Sequence, residues 1–70
     1  MENDERGHLL ILLDHWIKHN QKHTTQYLSW AKKMEDKELN EVAKRLKQAS
    51  KLIMQANEEF SKAKQPLMKK

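Results

Sequence analysis

The stretch Met34-Glu35-Asp36-Lys37-Glu38-Leu39 decides how this chain folds, because a hydrophobic periodicity breaks inside it. Upstream, Leu9, Leu13, Trp16, Asn20, His23, Tyr27, Trp30 and Met34 recur in steps of four and three, the heptad seam of one helix face. Ile17, Thr24, Leu28 and Ala31 widen that seam on one side. Downstream, Leu39, Val42, Leu46, Ala49, Ile53, Ala56, Phe60 and Ala63 form a second seam of the same kind. The step from Met34 to Leu39 is five residues, and continuing the first seam would bury Lys37, Glu41, Lys44 and Gln48. The pattern therefore predicts two helices. Helix one covers about residues 5–34, with Asn3 or Asp4 as its cap and Gly7 weakening its first turn. A tight turn at about 35–38 follows, with Asp36 capping helix two, which covers about 37–65. Pro66 ends helix two and leaves 66–70 as a tail.

The expected architecture is all-α, an antiparallel two-helix hairpin with arms roughly 40 Å long. A chain of 70 residues buries only about 60% of its unfolded surface, so two such hairpins are expected to pair as a homodimeric four-helix bundle. Alanine at every second position of the second seam lets a partner helix approach, with Trp16, Tyr27 and Trp30 expected to pack in the core. Asn20 and His23 are polar seam residues, a device that fixes register or oligomer state.

Composition narrows the function. There is no cysteine, so any metal must be held by nitrogen and oxygen ligands. A net charge of +4, with Lys44, Lys47, Lys51 and Lys62 scattered over an outer face, argues for solvation rather than nucleic-acid binding. The longest apolar run, Leu9 to Leu13, is far short of the ~20 residues a membrane span needs. The acidic start Met1-Glu2-Asn3-Asp4-Glu5 lacks the basic region of a signal peptide, so a cytoplasmic location is expected.

The run His15-Trp16-Ile17-Lys18-His19-Asn20-Gln21-Lys22-His23 is the one pattern with chemistry in it. Three histidines stand four residues apart, and His8 lies seven upstream in the same phase. On a wheel of about 100° per residue all four fall on one side of the seam, with Ile11 beyond them. Residues four apart are about 6 Å apart along the axis, close enough for two imidazoles to chelate one ion at about 2.0–2.1 Å. His15 with His19, or His19 with His23, can form that pair. Pairing across the turn sets Glu58 and Glu59 near the level of His15, with Glu59 on the matching flank. A His-His-carboxylate set suits Zn, Ni, Co, Fe or Cu(II). The candidate ligands are thus His15 and His19 first, then His23, His8 and Glu59. Catalysis is not expected: His15-x-x-x-His19 has the spacing of a zinc-protease helix, but Trp16 stands where the glutamate base is needed.

His15, Trp16, Ile17, His19, Asn20 and His23 spell a motif that resembles one in small, uncharacterised helical-hairpin proteins of bacteria and archaea. The resemblance spans helix one and, more loosely, the heptads of helix two. It implies a hairpin fold and a histidine-centred site, and no activity. The expected function is a non-enzymatic metal-binding protein: a sensor, carrier or buffer. The alternative is a protein–protein interaction module, docking a partner protein or its own copy, with the histidines as interface packing or a pH-sensitive latch.

Overall fold

A computed structural model describes the backbone of residues 2–68 and the side chains of residues 5–68. Two helices, α1 (Glu2–Asp36) and α2 (Asn40–Met68), form an antiparallel hairpin 53 Å long. The phase break in the sequence is where the chain turns. The Leu39 N–H donates to the Met34 carbonyl at 2.9 Å and the Glu38 N–H to the Glu35 carbonyl at 2.9 Å. These are the paired bonds of a Schellman cap, which needs a left-handed residue at its centre. Glu38 fills that place with φ 63°.

A left-handed conformation costs a residue with a Cβ about 1–2 kcal/mol, part of which glycine returns as extra freedom when unfolded. Glu38→Gly is therefore expected to stabilise the hairpin by roughly 0.5–1 kcal/mol, raising Tm by a few degrees. A lowered Tm in a thermal melt would contradict a left-handed Glu38.

The element ends differ from the sequence expectation. Asp36 does not cap helix two: it lies in the last turn of α1, and the Leu39 carbonyl takes the first α2 bond, from the Ala43 N–H at 3.1 Å. The turn occupies 37–39, and α1 begins ahead of residue 5, at Glu2. The capping side chains of Asn3 and Asp4 lie outside the described ones. Pro66 does not stop α2, which runs on through Leu67 to Met68, while 69–70 lie outside the described residues. The proline removes the bond that residue 66 would donate to the Lys62 carbonyl, and only Leu67 and Met68 of α2 follow it. The exposed last-turn carbonyl of Pro66 accepts from Arg6 Nη2 at 3.0 Å, tying the two open ends together.

The seam is also rotated from the expected one. The buried or half-buried positions of α1 include Leu10, Leu13, Ile17, Asn20, Thr24, Tyr27, Ala31 and Met34, with Leu12 and His23 half-buried beside them. Those of α2 include Ala43, Leu46, Ser50, Ile53, Asn57, Phe60, Lys64 and Leu67. In each helix every second seam position lies one residue later than the most apolar pattern predicts, a rotation of about 50°. Trp16 and Trp30, expected in the core, are 39% and 53% exposed. Trp16 leans on Phe60 with ring centroids 5.8 Å apart, and Lys33 Nζ sits 4.4 Å over the Trp30 ring.

The reason is dimensional. Helices packed 8–10 Å apart have room between them for small residues and well-paired polar ones, and an indole fits only at the edge. Ala31 and Ala43 are fully buried near the turn. At mid-length, Asn20 Nδ2 donates to Asn57 Oδ1 at 2.9 Å, and Asn57 Nδ2 donates to the Ile17 carbonyl at 3.1 Å. Thr24 spends its hydroxyl on the Gln21 carbonyl at 2.8 Å. Among the described residues no buried side-chain polar atom lacks a partner. Lys64 bonds Asp14 at 2.5 Å and Lys47 bonds Glu35 at 2.6 Å along the hairpin's edge; such exposed pairs add little stability.

Candidate metal centre

The rotation of the seam leaves a flank on which α1 displays Leu9, Trp16, His23 and Trp30, and α2 displays Val42, Ala49, Ala56 and Ala63. The histidines run along this flank, because four-residue steps place side chains one above the other with a slow drift around the helix. His23 is half-buried, while His8, His15 and His19 are exposed.

Four rings make a ladder. His15 and His19 are stacked, with centroids 5.8 Å apart and planes 19° apart. His19 and His23 meet edge to face at 4.5 Å and 89°. His23 stacks on Tyr27 at 5.8 Å and 18°. Tyr27 was read in the sequence only as a seam residue; its place four residues after His23 was the available signal for its role as the last rung.

The His19–His23 step differs from the others chemically. Their Nε2 atoms lie 3.0 Å apart, a hydrogen bond whose donor depends on the tautomers. Two imidazoles that each present a lone pair at that separation would hold an ion about 2.0–2.1 Å from both, with an N–metal–N angle of roughly 95°. A tetrahedral angle requires the nitrogens to part by only about 0.3–0.4 Å. Stacked rings such as His15 and His19 point their in-plane lone pairs along parallel lines, which do not converge. The pair the structure brings together is thus His19–His23, with His15 as a neighbour.

The other candidates stand apart. Glu59 pairs with Lys62 at 3.6 Å on its own helix. It is exposed there, and among the described residues it forms no cluster with the histidines. His8 is exposed and lies outside the ladder. Among the described residues no group of three or more His, Asp or Glu side chains converges.

On the opposite flank an open groove of about 530 Å³ is lined by Ile17, Gln21, Thr24, Met54, Asn57, Glu58, Ser61 and Lys62. No helix among the described residues is long and apolar enough to cross a membrane.

Fold and site together define an all-α helical hairpin with a hydrogen-bonded histidine pair on one flank. The chain belongs to the DUF8180 family, a domain of unknown function whose model matches residues 9–67. No curated protein and no solved structure matches it.

Proposed function

We propose that the hairpin is a non-enzymatic binding protein for a divalent transition metal, acting as sensor, carrier or buffer, with His19 and His23 as its primary ligands. The observation that supports this is the 3.0 Å separation of their Nε2 atoms. Two neutral nitrogen donors with no thiolate favour Zn, Ni, Co or Cu(II) over Mg or Ca. Asn20 and Asn57 hold the helices in register beside the pair, so the chelate is presented by rigid backbone rather than by a loop.

Titration of chelator-stripped protein with Zn and Ni tests the proposal. Saturable binding at micromolar affinity or tighter is expected. It should disappear in His19→Ala/His23→Ala and survive in His15→Ala with only a few-fold change. Absent binding, or equal binding in the double variant, would refute a His19–His23 site.

The interaction-module reading also has support. Leu9, Trp16, Trp30 and Val42 are all more than a third exposed on one flank, and exposed apolar side chains on one face suit an interface.

A further inference from the structure

Building on the metal-binding reading, we propose that the complete site belongs to a two-fold dimer of hairpins. A second copy stacks antiparallel on the histidine-bearing flank and adds its own His19 and His23 to the same ion.

The first argument is the incompleteness of the site. One chain brings two imidazole nitrogens within 3.0 Å and no third ligand among its described residues, whereas a closed zinc site takes four donors. The second is position. The pair straddles Gln21, close to the middle of α1 (Glu2–Asp36) and about half-way from the 37–39 turn to the open end. A two-fold axis lying across the flank at that level gives the two faces their greatest overlap. It stacks α1 antiparallel on the partner's α1, so that His19 stands opposite the partner's His23 and His23 opposite the partner's His19. The ion would lie on the axis, and the interface is self-complementary as two-fold symmetry demands.

The third argument is what else meets. In this register Trp30 lies opposite the partner's Leu12, with the partner's Leu9 one turn away, so each copy's exposed indole gains an apolar seat. Between Leu9 and Trp30 the stripe Leu9, Leu12, Trp16, His19, His23 and Gln26 carries no formal charge, while Lys22 stands at its edge in the phase of His15 and Lys33 lies over the Trp30 ring.

The test uses the full chain, with Zn as the probe, reading mass by light scattering and stoichiometry by titration. The expected result is a species of twice 8.4 kDa binding one Zn per two chains. Trp30→Glu should give a helical monomer whose Zn affinity falls by about 100-fold or more, since the second pair of donors is lost. Met54→Glu, on the other flank, should leave mass and stoichiometry unchanged. A wild-type monomer binding one Zn per chain would overturn the dimer site and leave the metal reading standing. A dimer that binds no Zn would overturn the metal reading and the shared site with it. A dimer broken by Met54→Glu but not by Trp30→Glu would show that the wrong face was chosen. If Trp30→Glu loses its helical circular dichroism, the wild-type mass and stoichiometry still decide.

Discussion

Leu13→Ala is expected to remove about 2–5 kcal/mol from the stability of this hairpin, more than any other single truncation of an apolar side chain. Leu13 is 3% exposed, and the only other fully buried apolar residues among those described are Ala31 and Ala43. It occupies a seam position near the open end, where the Lys64 side chain is only 26% exposed and bonds Asp14. A smaller residue at 13 leaves a cavity that two rigid helices close poorly, so a cavity penalty adds to the lost transfer energy. For a small domain near the bottom of the ~5–15 kcal/mol range, such a loss is a large share of the total. Ile11 is the control: at 69% exposed, Ile11→Ala should change stability by less than about 0.5 kcal/mol. Urea unfolding followed by circular dichroism, at matched chain concentration, gives both numbers. Similar midpoint shifts at the two positions would mean that the seam has been placed on the wrong face.

That face was the part of the fold the sequence left ambiguous. Helix type and the hairpin were legible in the three–four steps and in the five-residue jump from Met34 to Leu39. The jump coincides with the Schellman turn. The rotation was not legible, because each helix carries two adjacent stripes that both fit a heptad. Leu9, Trp16, His23 and Trp30 form the bulkier stripe, and Leu10, Ile17, Thr24 and Ala31 the one that is buried. An apolar count favours the tryptophans, whereas close helix packing favours small side chains and the Asn20–Asn57 pair. The cap was hidden because Glu38, not glycine, takes the left-handed place.

At the site, the histidine stripe followed from spacing alone. The choice between His15–His19 and His19–His23 rests on side-chain rotamers, which spacing does not encode. Glu59 was matched to the histidines by level along the axis. It is exposed beside Lys62 on its own helix, however, and forms no cluster with them.

The asparagine pair carries the second large effect, and its sign depends on how many partners are removed. Asn57→Leu alone is expected to cost about 2–3 kcal/mol, because it strands the half-buried amide of Asn20 and removes the donor to the Ile17 carbonyl. Asn20→Leu alone should cost less, since Asn57 keeps its bond to that carbonyl. Replacing both with leucine removes the unsatisfied groups together and is expected to be nearly neutral or stabilising. A double-mutant cycle should therefore show strong coupling, of at least about 2 kcal/mol. The gain brings a loss of specificity. With leucine at both positions nothing polar distinguishes the observed seam from the tryptophan-bearing stripe about 50° away, or from a register shifted by one heptad. The two tryptophans report on this directly. The native hairpin should give two indole N–H resonances, and the double-leucine variant more than two. A double variant as unstable as Asn57→Leu, still with two resonances, would mean that shape rather than the Asn20–Asn57 bond selects the seam. In that case the position of the His19–His23 pair on the flank would be set by the packing of Ala31, Ala43 and Ser50.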